Sequence, residues 1–64
     1  MKRRVLLKAL SAAGCRHVRE GGRHTIWESA DGLRRAAVPR HTEIPLRTAT
    51  AICRQLDVEP PAGS

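Results

Sequence analysis

What the sequence lacks narrows its reading first. The six acidic residues, Glu20, Glu28, Asp31, Glu43, Asp57 and Glu59, are scattered singly along the chain. A two-metal hydrolase needs carboxylates held close together at one spot, so metal-dependent hydrolysis is not expected. Cysteine is scarce, with only Cys15 and Cys53. No apolar run approaches the length that spans a bilayer. The basic start Met1-Lys2-Arg3-Arg4 leads into an apolar stretch that Lys8 interrupts, which is too short for a signal peptide. A cytoplasmic setting without membrane association is therefore expected, where disulfides are disfavoured. There is no internal repeat.

The chain has 64 residues, which allows one domain near the lower size limit for independent folding. Such a chain buries roughly 60% of the surface its unfolded form exposes. An enclosed substrate cavity is excluded by size, so any chemistry must take place on a surface. Ten arginines and two lysines against six acids give a net charge of +6. They run from Lys2 to Arg54 and do not form a tail, which points to a folded basic surface and a polyanion or acidic protein as partner. The dominance of arginine favours phosphate and carboxylate, which match its planar fork.

Apolar spacing predicts the elements. Leu6, Leu7, Ala9, Leu10 and Ala13 recur at helical intervals between Arg3 and Ala13. Gly14 stands where a left-handed residue ends a helix. Residues 15–20 read as a strand, Gly21-Gly22 as a tight turn, and residues 23–29 as the antiparallel partner. Asp31-Gly32 signals a second turn before a short strand through Ala36 and Val38 that Pro39 stops. Residues 39–47 read as a loop. Thr48 is placed to cap a last helix whose Ala49, Ile52, Cys53 and Leu56 share one face. Residues 1–58 thus form the expected domain, and residues 59–64, with Pro60-Pro61, a flexible tail. The result is an α+β fold of order α-β-β-β-α, like a double-stranded-RNA-binding domain, with both helices on one face of a three-stranded antiparallel sheet. Within the sheet, Ile26 shares a side with His24 while Trp27 points the other way, and either can be the core residue.

Few residues offer chemistry. Cys15, His17, His24 and Cys53 match no closed zinc pattern, and the two cysteines occupy core positions, where cysteine acts as a small hydrophobe. His17 reads as a half-exposed strand residue. His41, in a loop, is a candidate phosphate contact. His24 has the most suggestive setting. It follows glycines that let a substrate backbone approach, and Arg19 and Arg23 are expected to flank it across the hairpin. An imidazole beside guanidinium groups can move a proton to or from a ribose 2′-OH or a leaving oxygen.

The string Gly14-Cys15, Arg19, Gly22, His24, Ile26-Trp27, Asp31-Gly32, Val38-Pro39, His41, Glu43-Ile44-Pro45, Thr48, Ile52 and Arg54-Gln55 resembles the HicA family of bacterial toxins, in order, from about residue 3 to residue 58. Its most specific piece is Gly22-Arg23-His24. The resemblance implies a small messenger-RNA interferase with His24 as its catalytic histidine, neutralised by a HicB-like antitoxin. This chain carries Arg23 where the family usually has a small residue, Cys15 where it has an aromatic, and Arg47 where it has a glycine. With the 2′-OH as internal nucleophile, cleavage requires no metal or cofactor, only proton transfer and stabilisation of the phosphorane charge. Arg19, Arg23 and Arg40 are the candidates for that charge, the Gly21-Gly22 amides for hydrogen bonds, and His41 or water for the second proton transfer. A non-catalytic RNA-binding module of the same fold and a module that docks an acidic protein are the alternatives.

Overall fold

A computed structural model describes residues 1–61. Its elements are helix α1 (Arg3–Ala12), strands β1 (Arg16–Glu20), β2 (His24–Glu28) and β3 (Arg35–Pro39), and helix α2 (Leu46–Gln55). The strands form one antiparallel sheet in the order β1-β2-β3. The α-β-β-β-α fold expected from the sequence is the fold observed. Of the tail expected at residues 59–64, residues 62–64 lie outside the described residues.

Burial separates the two sheet faces. Thr25 and Trp27 of β2 pair with Val38 and Ala36 of β3, and all four are buried. They meet Leu6 and Leu10 of α1, Ala49, Ile52 and Cys53 of α2, and Cys15, Ile44 and Leu56 in a single cluster. Trp27 is therefore the core residue, and Ile26 lies half-buried on the far side. Both cysteines are free and buried, as their spacing suggested, and burial pushes both thiols above their ordinary range. Each of the larger apolar side chains in this cluster contributes about 1.5–3 kcal/mol by leaving water. β1 takes no part, since every one of its residues is exposed.

Neither helix is stabilised by its own ends at the N-terminal side. Lys2 and Pro45 are the N-cap residues, neither with a side-chain cap, and no acid occupies either first turn. A tertiary bond substitutes in α1: the Arg3 amide donates to the Thr42 carbonyl at 2.8 Å, and the Ile44 amide, donating to the Met1 carbonyl at 2.8 Å, ties the same two segments together. In α2 the helix starts at Leu46, two residues before the expected cap Thr48, and takes in Arg47 as well. Pro45 accounts for this shift, because its fixed φ suits the residue at a helix entrance. At the other end of each helix the chain closes in the same way. The Cys15 amide donates to the Leu10 carbonyl and the Gly14 amide to that of Ser11, with Gly14 at φ +90°. The Val58 and Asp57 amides repeat the pattern on Cys53 and Arg54.

Two boundaries in the sheet move as well. Pro39 belongs to β3 and pairs with His24, which an edge strand tolerates because one side of its backbone needs no ladder partner. The connection between β1 and β2 has three residues, 21–23, in place of a two-residue turn, and is closed by the Gly21 amide on the His24 carbonyl at 2.8 Å. Gly21 and Gly22 both lack a positive φ. The Asp31-Gly32 turn forms as expected, with Gly32 at φ +75° and Asp31 Oδ1 accepting from Ser29 Oγ and the Leu33 amide. Those bonds hold the Asp31 carboxyl below its usual range.

Asp57 takes the left-handed position after α2 that Gly14 takes after α1. The left-handed region costs a side chain roughly 1–2 kcal/mol, partly offset by the greater freedom glycine has when unfolded. Asp57→Gly should therefore raise stability by about 0.5–1 kcal/mol in urea unfolding, with the midpoint moving up and the slope unchanged.

Candidate active site

Parity along the strands fixes what the open face of the sheet carries. Thr25 and Trp27 point to the helices, so His24, Ile26 and Glu28 point away from them, with Arg35, Ala37 and Pro39 beside them on β3. His24 is the first residue of the central strand and is exposed. Its backbone is tied on both sides, to Gly21 through its carbonyl and to Pro39 through the ladder. The imidazole thus has a fixed root and a free tip.

A bulge at β1 sets the position of Arg19. The register passes from His17 opposite Trp27 directly to Arg19 opposite Ile26, leaving Val18 out. Arg19 is consequently diagonal to His24, where the expectation was a flanking position. Such diagonal positions lie roughly 7–8 Å apart, within reach of a long side chain. Without the bulge, Arg19 would fall on the helix side. Arg19 and Arg23 are exposed and form no side-chain hydrogen bond or ion pair among the described residues. Both guanidinium groups are available to an anion.

The two hairpin glycines have different reasons for being glycine. A Cβ on Gly21 would sit 2.8 Å from the His24 carbonyl oxygen, whereas one on Gly22 would meet nothing within 4 Å. Nothing inside the chain therefore demands a glycine at position 22. Its bare backbone leaves open space beside the histidine.

Arg40, a candidate for the substrate's charge, is engaged within the chain. Its guanidinium donates to the Gly21 carbonyl at 2.7 Å and pairs with the Glu20 carboxylate. It clamps the hairpin to the end of β3. His41 is exposed in the following loop, and no hydrogen bond joins it to His24. His17 lies on the helix side, tilted against Trp27 at 6.0 Å between ring centres and 3.4 Å from Glu20. The four imagined zinc ligands are thus divided among the core and both sheet faces.

Sequence reasoning passed over Glu28. Its carboxylate, largely buried on the open face, accepts from Arg16 at 2.7 Å and from Arg35 at 3.2 Å, so one acid joins all three strands. Counting acids showed that Glu28 was isolated from other carboxylates. The signal that could have found the clamp was its register between two arginines on neighbouring strands.

The chain matches the family described as HicA toxin of bacterial toxin–antitoxin over residues 3–58, nearly its whole length. No significant match was found among curated proteins or solved structures. The chain belongs to the HicA toxin family, which makes it the toxin member of a toxin–antitoxin pair.

The glycine pair yields a paired prediction. Gly21→Ala should cost about 1–3 kcal/mol, as overpacking against backbone does, while Gly22→Ala should change stability by less than about 0.5 kcal/mol. Thermal unfolding of the two variants side by side measures the difference.

Proposed function

We propose that this toxin is a metal-independent endoribonuclease that cuts messenger RNA and thereby blocks translation, with His24 as its acid–base group. The observation that carries the reading is the setting of His24: an exposed imidazole, rooted in the central strand on the uncovered sheet face, with the unpaired Arg19 diagonal to it, the unpaired Arg23 preceding it in the chain, and open space at Gly22. A ribose 2′-OH attacking its own phosphate needs a proton taken from it and a proton given to the leaving oxygen. His24 performs one transfer and His41 or a water the other, and Arg19 and Arg23 face the charge that develops on the phosphorane. The unhindered backbone at Gly22 lets the strand come close. Arg40 contributes by holding the hairpin, with His41 a further phosphate contact from its loop.

Carboxylates play no part in this scheme. Glu20 is engaged by Arg40, and Glu28 by Arg16 and Arg35, so the acids of β1 and β2 are occupied by arginines. The family relation together with the +6 charge points to a HicB-like antitoxin with an acidic surface that covers His24 and its arginines. RNA as substrate implies a cytoplasmic site of action. No helix among the described residues is long and apolar enough to cross a membrane.

The test compares wild type with His24→Ala on a messenger RNA, with and without excess EDTA. Wild type should cleave equally in both, and His24→Ala should lose at least about a hundredfold in rate, the lower end of an acid–base contribution, while still binding RNA. Cleavage abolished by EDTA and restored by magnesium would overturn the mechanism. Undiminished cleavage by His24→Ala would overturn the site. If wild type binds RNA without cutting it, the fold is serving as a non-catalytic RNA-binding module.

A further inference from the structure

The start of α1 and the loop after β3 enclose a cleft of about 370 Å³ lined by Lys2, Arg3, Arg4, Leu7, Arg40 and Thr42. Four of the six lining residues are cations, drawn from two separate stretches of chain, and no acid lines it. Their charges are only partly met. Arg3 is held by neutral acceptors, the Pro39 carbonyl at 2.8 Å and Thr25 Oγ1 at 3.2 Å, so its charge is positioned and not cancelled. Arg4 is exposed and unpaired among the described residues. Lys2 faces Glu43, whose side chain is 60% exposed, and such an exposed pair binds weakly, while Arg40 is held at the cleft's edge by Glu20 and the Gly21 carbonyl. A fixed guanidinium among further cations is an anion site prepared in advance.

Its place in the fold says which anion. Arg40 follows Pro39, the ladder partner of His24. Opposite strand positions lie about 4.5–5.5 Å apart and consecutive Cα atoms about 3.8 Å, which puts the Arg40 backbone within roughly 9 Å of that of His24. The imidazole is on the open face, whereas Arg3 reaches Thr25 on the helix side. The cleft and the histidine therefore occupy two sides of the same sheet end, with Arg40 between them. A cleft of this size has room for a phosphate together with its sugar, a unit that a nucleic-acid strand presents at regular intervals.

We infer that this cleft holds a backbone phosphate of the same RNA strand that is cut at His24. The inference rests on the ribonuclease reading for its choice of strand. It adds a contact that reads no base, so it strengthens binding to every sequence alike.

The experiment uses the full chain with His24→Ala, so that RNA stays intact, and adds Arg4→Ala or Lys2→Ala/Arg4→Ala. Neither side chain supports the core. Binding of two short single-stranded RNAs of different sequence is titrated at several salt concentrations, with polyglutamate as a second probe and thermal unfolding as the check on folding. The slope of log affinity against log salt should become shallower by about 0.7 for each phosphate that the variant no longer neutralises, equally for both RNAs, with unfolding temperature unchanged. An unchanged slope and affinity in the folded double variant would overturn the inference. So would loss of polyglutamate binding alone, which would mark the cleft as a seat for an acidic protein. If wild type proves unable to cut RNA and yet the slope still falls, the phosphate site stands and the ribonuclease reading fails.

Discussion

A chain of this length has apolar surface for one core, and that core takes one face of one sheet. The rest of the structure follows from this constraint. Leu6, Leu10, Ala49, Ile52 and Cys53 bring both helices onto Trp27, Ala36 and Val38, and no third layer is left to cover the other side. An uncovered β-sheet face is normally a polar one. Here it is held together by charge, through Glu28 between Arg16 and Arg35. The same economy that leaves the face open makes it the surface on which a partner or substrate can be met.

His24 owes its position to the alternation of that sheet. Because Thr25 and Trp27 must face the core, His24 must face away. The Arg19 side chain joins it only because β1 skips Val18. Two devices then keep the hairpin in place: the Gly21 amide on the His24 carbonyl, and Arg40 across Glu20 and the Gly21 carbonyl. The imidazole is thus rooted in the most supported strand while its side chain remains in solvent. For a site built from few residues, rooting of this kind is the main source of preorganisation.

Much of this was legible in the sequence. The helical spacing of Leu6 and Leu10, the alternation through β2 and the Asp31-Gly32 turn each report a local preference that the fold satisfies. The strand ends were less legible, since Pro39 reads locally as a stop and only the ladder with His24 shows it to be the last paired residue. The start of α2 was obscured for a similar reason: Thr48 has cap chemistry, but Pro45 already has the dihedral angle that a helix entrance needs. Of the candidate site, the residues were legible and their relations were not. A one-residue bulge that decides the face of Arg19, and a guanidinium that folds back to clamp its own hairpin, depend on contacts between distant parts of the chain.

The central claim is that one surface histidine cuts RNA through the strand's own 2′-OH, and the end groups of the products test it most directly. Wild-type protein should leave a 2′,3′-cyclic phosphate on the upstream fragment, and it should fail to cut an RNA whose 2′-hydroxyls have been replaced by 2′-O-methyl groups. Cleavage of that modified strand at the normal rate, or fragments carrying a 5′-phosphate and a free 3′-hydroxyl, would contradict the claim, because water and not the ribose would then be the nucleophile.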